Sequence, residues 1–119
     1  MANKSIRLSD GTDTLYPESA QSGSGYQKCA DGTLIQWGVT AKITMTSHQI
    51  SNTTINFPIA FNAAPRVFAT AEGAFTPYTE ISGPTVNTIT TSSFICRFYN
   101  NYSSSINPNI NWVAIGRWK

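Results

Sequence analysis

The sequence predicts an all-β domain, an antiparallel sandwich or barrel, on three observations. Short runs rich in Val, Ile, Thr and aromatic residues recur between Gly, Pro, Asn and Asp turn signals. No stretch has the length and 3.6-residue periodicity of a helix. Charged residues make up 12% of the 119 residues, about half the usual share. The polar surface therefore falls to Ser, Thr and Asn, a composition suited to sheets and turns rather than long helices.

This length suits one domain with a real core, and the 40% apolar and 12% aromatic content can fill it. Residues 1–25 differ from the rest. LSDGTDTLYPES is polar and turn-rich, AQSGSG reads as a flexible joint, and Leu15, Tyr16 and Pro17 are the one apolar group between Leu8 and Tyr26. The expectation is an N-terminal arm over 1–25 and a β-domain over 26–119.

The domain opens with GYQKCADGTLIQWG, two strands split by Asp31-Gly32, a strong hairpin signal. In its second run Leu34 and Gln36 alternate with Thr33, Ile35 and Trp37. Residues 39–49, rich in Thr, read as strand or loop. ISNTTINFP is a strand ended by Pro58, and Pro65 precedes a strand with Val67, Ala69 and Ala71 on one face. Residues 72–84, with two prolines and two glycines, read as loop. TVNTITTSSFICRFYN supplies two more strands, with Phe94, Cys96 and Phe98 alternating against Ile95, Arg97 and Tyr99.

The chain closes on NINWVAIGRWK, which holds two of its three tryptophans. As a strand it is apolar on both faces, so it should lie centrally or beneath another subunit. Val113 and Ile115 are expected to face one layer and Trp112 the other. Trp37, Phe57, Phe94, Trp112, Ile115 and Trp118 are the expected core markers.

The chemistry of an enzyme is missing. There is one histidine, His48, in a polar stretch, and six acids are spread over arm and turns. With two distant cysteines no metal-ligand cluster forms, and no nucleophile, phosphate-loop or dinucleotide motif is present. The expectation is no catalysis, no metal and no cofactor. A net charge of +2 with scattered Lys and Arg argues against nucleic acid. No apolar run approaches a membrane span, and the N-terminus lacks a signal-peptide h-region. Cys29 and Cys96 are either two buried thiols or one disulfide. The run Arg97, Phe98, Tyr99, Asn100, Asn101, Tyr102 offers an aromatic face with amides, suited to a sugar. It reads equally as core, edge cap and turn residues.

From Tyr26 onward the order GYQKCADGTLIQWG, INFPIAFNAAPRVFATAEG, TTSSFICRFYNN, INWVAIGRWK resembles phage tail-fibre C-terminal domains. It is also similar to the H-type lectins. The arm motif IRLSDGTDTLYPES resembles the opening of small tail and baseplate proteins. The resemblance implies a six-stranded antiparallel β-sandwich, H-type-lectin-like and assembled as a homotrimer, that binds glycan near its distal end. It further implies that Cys29 and Cys96 lie close together, though phage particles assemble in a reducing cytoplasm. A Trp-His pair touches the sugar in the lectins. Tyr99 and Asn100 stand in those places, and His48 lies near the same groove. No arginine occurs in residues 72–93, where the lectins use one, so galactosamine-type specificity does not carry over.

The leading expectation is thus a virion tail-fibre or baseplate module, made in the bacterial cytoplasm, that attaches to cell-surface glycan beside other tail proteins. Tyr99, Asn100, Asn101, His48 and Arg97 are its candidate ligand residues. The alternatives are a structural trimerising tip without receptor contact and a soluble secreted lectin.

Overall fold

The computed structural model describes residues 22, 23, 25–73 and 81–119. The expected arm up to residue 21, and the stretch 74–80 of the expected 72–84 loop, lie outside the described residues. Eight strands follow one another: β1 Ser22–Gly23, β2 Tyr26–Lys28, β3 Thr33–Val39, β4 Ile50–Asn56, β5 Arg66–Glu72, β6 Ile81–Asn87, β7 Ser93–Asn100 and β8 Asn109–Arg117. All pairings are antiparallel. One sheet has the order β1-β2-β3-β8-β5 and the other β4-β7-β6. The expected all-β antiparallel architecture is what is found. Six strands of seven to nine residues carry it, and two short ones are added at an edge.

The turn chemistry acts as the sequence implies. Asp31 accepts from the Thr33 main-chain N–H at 2.8 Å, while Cys29 N–H bonds Thr33 O at 2.7 Å and closes the β2–β3 hairpin. The Thr33 main-chain N–H first, then the Thr33 side chain, aided by nearby Arg117, hold the exposed Asp31 carboxyl below its ordinary range.

Period-two alternation then sorts the side chains. Leu34 and Gln36 of β3, Phe94, Cys96 and Phe98 of β7, and Ile110, Trp112 and Ala114 of β8 are buried between the sheets. Phe57 binds the two layers. Its ring lies 5.0 Å from Phe61, 5.6 Å from Phe94 and 5.7 Å from Trp112. Such contacts add about 0.5–1.5 kcal/mol per pair beyond burial. Gln36 is fully buried, and its amide forms a reciprocal pair with Ile59, donating to O at 2.8 Å and accepting from N at 3.0 Å. A buried amide is tolerated because both ends are satisfied.

Three expectations are corrected. First, β8 is central, between β3 and β5, as expected, but Ile115 is no core marker. Trp112 points into the core while Val113 and Ile115 face outward, Ile115 being 42% exposed. The cause is room. Gly38 pairs with Trp112, and a Cβ there would meet the indole Nε1 at 2.8 Å. Gly116 likewise leaves space for Phe61, whose Cδ1 would lie 2.8 Å from a Cβ.

Second, Trp37 is no core marker, being 45% exposed. It follows Gln36 in the alternation, so burying Gln36 turns Trp37 outward. Trp118 is half-buried against the core, donating its indole N–H to Cys29 O at 2.8 Å.

Third, the strand grammar reaches further than read. Ser22–Gly23, assigned to the flexible joint, pairs with Tyr26 and Gln27. Residues 81–84, assigned to loop, belong to β6. This edge strand accommodates Gly83 and Pro84 through a register shift between Ser82 and Thr85, as bulged edges do.

The cysteines, left open between two thiols and one disulfide, are both free. Cys29 follows β2 at the hairpin of one sheet, whereas Cys96 lies mid-strand in the other, paired with Thr53 and Val86. Burial pushes the Cys96 thiol up to about 11.

Candidate functional site

The middle strand of the three-stranded sheet organises the candidate residues. Strand β7 is flanked by β4 and β6, and the register sets cross-strand rows on its outer face. Ile50, Tyr99 and Ser82 form one row, Asn52, Arg97 and Thr85 the next, and Thr54, Ile95 and Asn87 a third. The uncharged composition of β4 (ISNTTIN) makes this face a field of hydroxyls and amides around one aromatic ring and one cation.

The turn before β4 brings His48 beside Tyr99, ring centroids 6.4 Å apart and tilted by 53°. His48 holds a positive φ of 57°, a conformation uncommon for a side chain of its size. The turn is closed by Gln49, whose Oε1 accepts from the Thr46 main-chain N–H at 2.9 Å and its hydroxyl at 2.8 Å. Ser47 joins the His48 Nδ1 at 2.7 Å and donates to Tyr102 O at 3.1 Å. Beyond Tyr99, Asn101 donates its amide to Ser82 Oγ at 2.8 Å. Arg97 donates its Nε–H to Asn52 Oδ1 at 2.7 Å.

Four of the five ligand residues expected from the sequence therefore share one surface: His48, Arg97, Tyr99 and Asn101. Asn100 does not. It alternates inward, is fully buried, and its Nδ2 donates to the carbonyls of Met45, Thr46 and Ser104 at 3.2, 2.9 and 2.9 Å. Its Oδ1 accepts from Tyr102 N–H at 2.8 Å. Asn100 is thus a positioning residue that ties the His48 turn to the loop after Tyr99, and it offers no free amide to a ligand.

Ile50, 58% exposed, and Ser82 also belong to this surface and were missed. Ile50 reads as a strand residue and Ser82 as loop, and only the register shows that they flank Tyr99. Among the described residues, no group of three or more His, Cys, Asp or Glu stands together to hold a metal.

The outer face of the five-stranded sheet is different in kind. The row Trp37, Val113, Phe68 is bordered by Ile35, Ile115 and Arg66 on one side and Val39, Asn111 and Thr70 on the other. Val39 and Phe68 are each 60% exposed. A depression of about 600 Å³ runs along Phe68, Thr70, Asn111 and Val113. The face is a contiguous apolar patch, of the kind that marks contact surfaces.

Residues 28–117 match the family profile of the gp53-like tail fibre protein, C-terminal. Solved structures share the fold. An N-truncated R1-type pyocin tail fibre superposes with a TM-score of 0.67 at 20% identity, covering 87% of this chain and 88% of that one. A Pseudomonas aeruginosa R1 pyocin fibre, residues 323–701, gives the same TM-score and identity, with 29% of its length covered. The P. aeruginosa R2 pyocin fibre, residues 323–691, gives 0.56 at 25% identity, covering 87% of this chain and 27% of that one. The chain thus spans less than a third of the longer fibre fragments that it resembles. Among curated proteins no relative matched.

Proposed function

The chain belongs to the gp53-like tail fibre C-terminal family, and from that premise we propose that it is the receptor-binding tip that attaches a homotrimer to bacterial surface glycan. The observation that carries the reading is the outer face of β4-β7-β6, where Tyr99, His48, Asn101 and Arg97 converge beside Ile50 and Ser82. The half-buried Tyr99 ring, on the outer face of β7, accepts the CH face of a sugar. The amide and hydroxyl groups around it pair with sugar hydroxyls. Neither role demands an ionised catalytic group, and no catalysis is proposed.

In this reading the exposed apolar face of Trp37, Val39, Phe68 and Ile115 would make the contacts between copies. Apolar burial there would hold the copies together, and three weak sugar sites per tip gain avidity from simultaneous engagement. The tip would act outside the cell as part of the virion tail, beside other tail proteins. A second reading, a trimerising tip without receptor contact, draws on the same apolar face and leaves the Tyr99 surface idle.

Binding of the purified protein to whole host cells and to a bacterial glycan array separates the two. The expected result is saturable binding that Tyr99→Ala reduces about tenfold, the value of one or two kcal/mol of stacking, with an unchanged melting temperature. Blank arrays together with unaltered cell binding by Tyr99→Ala would overturn the receptor-binding reading.

A further inference from the structure

We infer that the glycan recognised on the β4-β7-β6 face is acidic, and that the carboxylate of a uronic acid seats on Arg97. This inference rests on the glycan-binding reading above and names the class of sugar that it takes.

Arg97 occupies the centre of the middle strand, opposite Asn52 on β4 and Thr85 on β6. It is exposed, and its one hydrogen bond among the described residues runs from Nε–H to Asn52 Oδ1 at 2.7 Å. That bond fixes the plane of the guanidinium and uses the Nε side of its fork. The Nη1–Nη2 edge remains, two parallel N–H donors at the spacing of two coplanar carboxylate oxygens.

No acid compensates this charge on the same face among the described residues. The two described acidic side chains belong to the other sheet. Asp31 sits in the β2–β3 hairpin beside Arg117, and Glu72 ends β5, accepting from Asn111 Nδ2 at 2.8 Å. A cation with no acid partner among the described residues, held by a neighbour in one orientation, is a better anion seat than a freely rotating lysine, because less side-chain entropy is lost on binding.

Geometry links this cation to the aromatic ring. Tyr99 lies two residues along β7 on the same face, about 7 Å away at strand rise. A pyranose lying on Tyr99 spans that gap with its ring substituent. Its hydroxyls reach Asn101 and Ser82, which already bond each other at 2.8 Å. His48 closes the far side of the ring, 6.4 Å from it.

The test uses an array of acidic bacterial polysaccharides, each in native form and with its uronic carboxylates reduced to neutral hexoses, together with a phosphate-bearing neutral polysaccharide. The full chain, Arg97→Gln and Tyr99→Ala are applied after their melting temperatures have been compared. The expected result is a native polymer bound about tenfold or more tightly than its reduced form, with Arg97→Gln lowering it to the level of the reduced polymer. Equal binding of native and reduced polymers overturns the carboxylate seat while glycan binding stands. So does an Arg97→Gln protein that still prefers the native form, or a preference for the phosphate-bearing polymer. Absence of binding to every polymer overturns the glycan reading itself, and the carboxylate seat with it.

Discussion

Asn100 holds the main-chain carbonyl of Thr46 at 2.9 Å, and through it the turn that presents His48 to Tyr99. The same amide reaches Ser104 at 2.9 Å, so one buried side chain sets two loops of the candidate site. Asn100→Ala would leave the Thr46 and Ser104 carbonyls and the Tyr102 N–H without this partner, while the Met45 carbonyl keeps the Ile106 N–H at 3.0 Å. At about 1–3 kcal/mol for each unsatisfied buried group, and with partial relaxation, a loss of roughly 3–5 kcal/mol is expected. Asn100→Asp should be worse, because a carboxylate turns an acceptor toward those carbonyls. Urea unfolding of both variants, with Tyr99→Ala as a comparison expected within about 1 kcal/mol of the parent, checks the division between positioning and contact residues.

Trp112 and Gly38 form a coupled pair. Trp112→Ala empties the space between Phe57 and Phe94 and should cost about 3–5 kcal/mol. Gly38→Ala drives a methyl against the indole, 2.8 Å from Nε1, and should cost about 1–3 kcal/mol. Trp112→Phe, with a smaller ring, relieves that clash. The double variant Gly38→Ala with Trp112→Phe should therefore lose less than the sum of the two singles. Denaturant midpoints of the four proteins give the cycle, and strict additivity would refute the contact. Deleting residues 112–119 removes most of the strand between β3 and β5 and is expected to abolish folding, as read by loss of soluble, cooperatively unfolding protein.

Phe68 and Trp37 belong to one outward row of the five-stranded sheet, joined through Val113. If this face holds copies together, Phe68→Asp should convert the oligomer to monomer in light scattering. The cost to the monomer's own fold should stay within about 1 kcal/mol, since Phe68 is 60% exposed. Ile50→Asp, on the opposite outer face, should leave the mass unchanged. Dissociation by Ile50→Asp rather than Phe68→Asp would move the interface to the other sheet.

Much of the fold was legible because alternation is a local signal. Phe94, Cys96 and Phe98 are read to one face directly, and Asp31-Gly32 marks its hairpin by turn chemistry alone. What was not legible depends on partners remote in sequence. In β8 both faces are apolar, so the pattern cannot say which face is inward. That is decided by Gly38, 74 positions before Trp112 and its partner in the register. The site shows the same division. Tyr99 and Arg97 were found through their residue types and alternation. Asn100 was misassigned because an asparagine that serves a ligand and one that caps buried carbonyls look alike until the loops close around it. Ile50 and Ser82 required the register of three strands.

Cys96 and Cys29 differ in environment, and their chemistry should follow. Both are free, so intact mass should be the same with and without reductant. Cys29 is half-buried and should react with a thiol reagent in the folded protein. Cys96, fully enclosed and with its thiol pushed up to about 11, should react only through unfolding. The stability consequence has a definite sign. Between the ordinary thiol value of 9.0 and about 11, the unfolded chain has released its proton while the folded chain retains it. Stability is therefore full below pH 9 and falls as pH rises through this window. At about 1.4 kcal/mol per unit the fall is at most about 3 kcal/mol. Tyrosines and lysines titrate in the same range, so the measurement is a comparison. Cys96→Val, which keeps an apolar side chain of similar size, should show a shallower loss of urea midpoint from pH 9 to 11 than the parent. Parallel slopes would mean that the thiol is solvated when ionised, and the enclosure of Cys96 by Phe94 and Phe98 would then fail as its explanation.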